Sequence, residues 1–251
     1  MIEASPSTIL GIFLIFCRIG GCLMLMPGFS SNRVPMNVRL FIALTTSLAV
    51  APLVMGRLPN DLANQTPLMT FWLILSELLT GIMIGLLGRV YFMALQTLVT
   101  AVAMAIGFGS IPGAPMDDAE PLPAIGSMIM MVATAMLFLS DLHWELFRGL
   151  AASYARLPVG EGFGTRVSLV EIVDQIGAAF VLALRISSPF IVYSVVVNLA
   201  VGLTNKLTPQ VPIFFIATPF VMLGGLLLFY FLVKDYMTLF MDAFANWVAN
   251  G

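Results

Sequence analysis

LMTFWLILSELLTGIMIGLLGRVYFMALQTLVTAVAMAI, residues 68–106, carries two charges, Glu77 and Arg89, in 39 residues. A membrane-spanning helix takes about 20 apolar residues. The stretch is therefore either one very long helix or two spans, 68–88 and 90–106, joined by a turn at Gly88-Arg89. The choice decides on which side every later loop falls. Lys and Arg collect in cytoplasmic loops. With the turn, and with the amino terminus outside, the cytoplasmic side holds Arg33, Arg39, Arg89, Arg148, Arg156, Arg166 and Lys234, against Arg57 and Lys206 outside. Without it, the same start leaves Arg33, Arg39 and Lys206 inside against Arg57, Arg148, Arg156, Arg166 and Lys234 outside. The charges favour the hairpin.

The rest of the chain reads the same way. Of its 251 residues 60% are hydrophobic and 10% charged, and the mean hydropathy is +1.02. A water-soluble surface takes about 25% charged residues, so the chain is expected to be an all-α membrane protein. The net charge of -2 offers no basic field to nucleic acid. Further apolar runs at 8–26, 38–55, 124–140, 172–198 and 211–233 are expected to be helical. Cys17 and Cys22 are five residues apart, about 140° on a helix, and point away from each other. Arg18 interrupts the first run and no basic residue precedes it, so that run reads as a retained helix rather than a cleaved signal.

One membrane-embedded domain, 1–251, is expected, with helical halves at 1–106 and 124–251. Between them lies GFGSIPGAPMDDAEPLP, residues 107–123, with three Gly, four Pro and three acids. Gly and Pro break helices, and the charge count places this loop outside. It reads either as a solvated connector or as a functional loop carried by Phe108, Ile111, Pro112, Met116, Asp117, Asp118 and Glu120. At the other end, Tyr236, Phe240, Phe244 and Trp247 share one helical face within 234–251. That spacing suggests an amphipathic tail that is interfacial or docks a partner.

Arg18, Glu77 and Arg185 stand inside apolar runs, where a charge facing lipid costs about 2.5–3.5 kcal/mol. Each must meet protein, water or an opposite charge. Glu77 shares a helix face with Gly81 and Gly88 and nearly with Gly85, the pattern of a closely packed helix interface. The bland reading pairs Glu77 with Arg18 or Arg185 to order the bundle. The sharper ones are ion or proton passage, or pairing with another subunit. Pro52, Pro189, Pro209, Pro212 and Pro219 fall in or beside apolar runs, and broken helices survive in a membrane only against protein or a cavity. Ser187-Ser188 precede Pro189 and could occupy the carbonyls it frees. His143 stands alone, and no nucleophile–base pair, metal-ligand spacing or phosphate loop is present. No enzyme and no cofactor are expected.

Three stretches resemble the FliR family, the flagellar export-gate proteins related to the SpaR-type subunits of virulence type III secretion. CRIGGCLMLMPGF followed by VPMNVRLFIALTTSLAVAPLV is similar to the family's opening at Arg18, Pro27, Gly28, Phe29, Pro35, Arg39 and Pro52. ELLTGIMIGLLGR resembles its Glu-x-x-x-Gly-x-x-x-Gly segment at Glu77, Gly81 and Gly85. NLAVGLTNKLTPQVPIFFIATPFVMLGGLLL resembles its Gly, Pro-Gln, Pro and Gly run at Gly202, Pro209, Gln210, Pro219 and Gly225. Pro212 replaces a more usual Asn, Ser140-Asp141-Leu142-His143 reduces an Asp-Gly-His-His type segment, and the central loop matches only by position.

The resemblance implies bent helical hairpins, broken by Pro and Gly, that pack with FliP-like and FliQ-like subunits into a helical gate and stand largely proud of the inner-membrane plane rather than crossing it simply. It implies hinges at Pro27, Gly28, Pro52, Pro189, Pro209 and Pro219, and a central loop that reaches into the pore and plugs it. FlhA-like and FlhB-like proteins would lie at the cytoplasmic side, unfolded flagellar subunits would be the cargo, and membrane lipid would surround the rest. Two other readings remain beside it: virulence secretion of the SpaR type, and a stand-alone secondary transporter with Glu77 and the Pro189 break at a midplane site.

Overall fold

Residues 67–105 form a single helix, so the expected hairpin at Gly88-Arg89 is not made. Gly88 costs a helix about 1 kcal/mol relative to Ala, but it is used here for close approach rather than for a turn. A Cβ at Gly88 would lie 2.6 Å from Met26 Sδ and 3.2 Å from the Trp247 ring.

The computed structural model describes residues 6–31, 34–58, 65–109, 123–159 and 165–250. In order these hold α1 (Pro6–Leu25), α2 (Met36–Val54) with a 3-10 turn at Met55–Arg57, α3 (Pro67–Ala105), α4 (Ala124–Leu139), α5 (Leu142–Arg156), α6 (Thr165–Leu207) and α7 (Ile213–Asn250). Every described element is helical. Five helices are long and apolar enough to cross a membrane, or six if α4 and α5 count as one broken span. Helices α6 and α7 outrun the apolar windows at 172–198 and 211–233, because the charged residues at their ends are adequate helix formers and nothing there breaks the backbone. Of the expected tail at 234–251, the described residues to Asn250 are the carboxyl-terminal part of α7.

The prolines divide into two groups. Pro27 and Gly28 turn the chain after α1, with Gly28 at φ 86°, and Pro209 lies in the turn between α6 and α7. Pro52, Pro189 and Pro219 lie inside helices that continue through them. At Pro189 the compensation is visible. Ser188 Oγ donates to the Arg185 carbonyl at 3.0 Å, the acceptor that residue 189 cannot serve without an N–H. Ser187 Oγ donates to Ala183 O at 2.9 Å.

Packing groups the described residues into two units, each drawing on both sides of the central loop. The first comprises residues up to Tyr91, Leu137–Ile176 and Ala245 onward. Its core is made by Leu14, Ile15, Ile19 and Leu23 of α1 with Ala43, Val50 and Val54 of α2 and Leu146 and Leu150 of α5. Phe29 meets Phe138 edge-on at 5.4 Å, and Trp247 meets Tyr91 at 5.5 Å.

The second unit comprises Phe92–Met136 and Gly177–Phe244. Phe240 and Phe244 are buried and take the Phe92 ring edge-on at 5.3 and 5.6 Å. The aromatic face expected to meet an interface or a partner is therefore largely spent within this chain. Ile106 lies so close to Gly225 that a Cβ there would overlap its side chain. Tyr193 donates from its hydroxyl to Val221 O at 2.7 Å, and a Cβ at Gly224 would stand 2.6 Å from that hydroxyl.

Candidate functional site

Arg18 of α1 is fully buried in the first unit, and its partners come from two other helices and the residue just past one of them. Glu77 of α3 accepts from Nε at 2.6 Å and from Nη2 at 2.8 Å, a two-pronged pair. Nη2 also donates to the Leu157 carbonyl just past α5 at 2.9 Å, and Nη1 donates to Ser153 Oγ at 3.1 Å. Ser153 passes the bond on, donating to Leu150 O at 2.7 Å. The Tyr154 ring lies under the guanidinium, 3.9 Å from Cζ to the ring centroid. Four of the five guanidinium N–H groups are thereby used, and the charge is neutralised where it is buried. Arginine suits this place because its planar fork matches a carboxylate with two parallel bonds.

The glycines of α3 bring α1 near enough for this. A Cβ at Gly81, one turn after Glu77, would overlap the Arg18 carbonyl, and one at Gly85 would lie 2.5 Å from Cys22 O. On α1, a Cβ at Gly21 would lie 2.9 Å from Leu78 O. The seam is backbone against backbone, as small residues permit in a membrane interface. Arg18, Glu77, Gly81 and Gly85 are thus brought together as one structure. Each Glu77 oxygen takes one guanidinium bond, so the pair is bidentate and its charges are matched within the chain.

Ser153, Tyr154 and the Leu157 carbonyl escaped the sequence reading. The signal was the helical spacing of Leu142, Leu146 and Leu150, which Ser153 and Tyr154 continue on the buried face. Polar groups on an apolar face call for a polar partner, though nothing in the spacing says which.

Arg185 stands apart from this site. It is exposed on α6, and neither ion pair among the described residues, Arg18–Glu77 and Glu145–Arg148, includes it. Of the central loop, Gly107, Phe108, Gly109 and Pro123 are described. Gly107, at φ 84°, ends α3 with its N–H bonded to Met104 O at 3.2 Å, and the Phe108 N–H bonds Ala103 O at 2.7 Å. That is a Schellman cap with glycine in the left-handed place. Ile111, Pro112, Met116, Asp117, Asp118 and Glu120 lie outside the described residues.

The family model of "Bacterial export proteins, family 1" matches residues 9–247. The chain is similar to proteins named "Flagellar biosynthetic protein FliR" from several bacteria. It is 28% identical to that of Caulobacter vibrioides over 218 residues, covering 85% of this chain and 84% of the relative. It is 26% identical to that of Aquifex aeolicus over 235 residues, 89% and 85% of the two chains. Identity with that of Escherichia coli is 25% over 212 residues, 83% and 78% of the two. The match takes in Arg18, Glu77 and the glycine seam, and on it this chain belongs to the bacterial export proteins, family 1, as a FliR-family protein.

Proposed function

We propose that this chain is a structural subunit of the flagellar protein export gate in the bacterial inner membrane, and that it folds to be surrounded by other gate subunits. The observation that carries this is the amount of apolar helix. Helices α3, α6 and α7 hold 39, 43 and 38 residues. At 1.5 Å per residue each is about 57–65 Å of helix, roughly twice the 30 Å of a hydrocarbon core. Tilts of up to about 40° do not absorb that excess. Exposed Phe180, Val192, Leu203, Phe220 and Phe231 lie along α6 and α7. The parts of these helices beyond one hydrocarbon core, and the exposed apolar side chains along them, are better covered by protein neighbours than by lipid alone. FliP-like and FliQ-like chains are the proposed neighbours, with FlhA-like and FlhB-like proteins at the cytoplasmic side and unfolded flagellar subunits as cargo.

The positive charges also orient the chain. With α3 as one helix, α4 and α5 taken as one span and the amino terminus inside, Arg57, Arg148, Arg156, Arg166 and Lys234 fall on the cytoplasmic side against Arg33, Arg39 and Lys206. The central loop stays outside and the carboxyl terminus inside, as in the hairpin reading. Only the segments before α3 change sides. An outward loop at 107–123 fits a plug at the exit of the channel.

The stand-alone transporter reading takes Glu77 and the Pro189 break as a midplane site. That carboxylate is held on both oxygens by Arg18. Extraction of the native membrane in mild detergent tests the gate reading. Co-purification with FliP-like and FliQ-like chains, with loss of motility on deleting this chain, is the expected result. A monodisperse single chain that transports a solute by itself would overturn it.

A further inference from the structure

Arg185 lies on a stripe of α6 formed by Ala178, Val181, Arg185, Val192, Val196 and Leu203, spaced to share one helical face, and all six are exposed. It is the sole charge between Asp174 and Lys206, 11 residues before and 21 after it in sequence. About 16 Å of helix therefore separates it from the nearest charge before it and about 31 Å from the next one after it, which is more than the side chain can span by snorkelling. A guanidinium facing lipid there costs about 2.5–3.5 kcal/mol, and no carboxylate among the described residues pairs with it. The other arginine inside an apolar run, Arg18, shows how this chain treats such a charge. It is given a carboxylate from another helix and enclosed. On α6 the backbone is also adjusted at this place, since Ser188 holds the Arg185 carbonyl that Pro189 leaves open.

We infer that the Arg185 stripe of α6 is the seat of an apolar helix from a neighbouring chain whose Asp or Glu pairs with Arg185. This rests on the gate reading for the existence of a neighbour and goes beyond it in naming the residue and the complementary chemistry. A membrane helix carrying one mid-span acid is disfavoured in lipid alone, so each partner is most stable when docked. The pair would fix the register of the two helices, because apolar side chains alone permit sliding.

The test uses the assembled complex, extracted from native membranes in mild detergent. Arg185→Gln is expected to lower recovery of the neighbouring chains about ten-fold or more. The membrane level of this chain should change less than about two-fold, because Arg185 is exposed within the chain itself. Arg185→Lys should keep most of the complex. In a Cys17→Ala, Cys22→Ala background that keeps Arg185, Val181→Cys on the same stripe should resist a cationic thiosulfonate while the complex is intact. Normal recovery with Arg185→Gln, or rapid labelling of the cysteine in an intact complex, would overturn the inference and place Arg185 against water. If the unaltered chain brings down no neighbour at all, the gate reading falls, and the inference with it.

Discussion

At the scale of single residues, Arg18 and Glu77 share one fate. Breaking a buried pair leaves an uncompensated charge, at a cost of about 3–5 kcal/mol. Glu77→Ala and Arg18→Ala are each expected to lower the thermal stability of the purified complex and the membrane level of the chain. A matched apolar pair, Arg18→Met with Glu77→Leu, removes both charges and should recover most of that stability. Motility restored along with stability would mark the pair as a structural lock. Stability restored without motility would mark it as functional in export. Tyr154 separates two contributions. Its buried hydroxyl finds no hydrogen-bond partner among the described residues, so Tyr154→Phe should be neutral or stabilising, by up to about 1–3 kcal/mol. Tyr154→Leu removes the ring beneath the guanidinium and should cost about 1–2 kcal/mol. Comparing the two melting curves checks this.

At the scale of elements, the α1–α3 seam and the end of α3 can be tested separately. Gly81→Ala drives a methyl into the Arg18 carbonyl, a backbone atom that cannot rotate away. Overpacking of this kind costs about 1–3 kcal/mol, and it should also loosen the Arg18–Glu77 pair. Gly20→Ala, on the same α1 but with nothing within 4 Å of the added carbon, is the control and should be neutral or slightly stabilising. Thermal denaturation of both variants reads the difference. The Schellman cap at Gly107 shows that α3 is ended deliberately where the central loop begins. If that loop closes the channel, deleting residues 110–120 should leave the complex assembled and raise ion leak across secretion-active membranes. An unchanged leak with normal assembly would leave the loop as a connector.

At the scale of the whole molecule, the quantity of exposed apolar helix is the property that a lone chain cannot explain. The chain expressed without its neighbours should therefore aggregate or be degraded, and co-expression with FliP-like and FliQ-like chains should raise its membrane level. Pulse-chase turnover with and without them measures this. Much of this was legible in the sequence. Low charge and high hydropathy dictate helices in a membrane, since only such segments satisfy their own backbone there. The Gly and Pro of residues 107–123 dictate the end of α3, and Arg18, Glu77 and Arg185 announce themselves because a charge in an apolar run must be matched. Composition could not say whether Gly88 turns the chain or admits a neighbour, because a missing Cβ permits both. The answer lies in Met26 and Trp247 packing against it. Nor could spacing choose between Arg18 and Arg185 as the partner of Glu77, or find Ser153 and Tyr154. Arg18 is 59 residues from Glu77 and 135 from Ser153. Which distant faces meet depends on how closely whole helices can approach, and the glycine seam determines that only once the helices are packed.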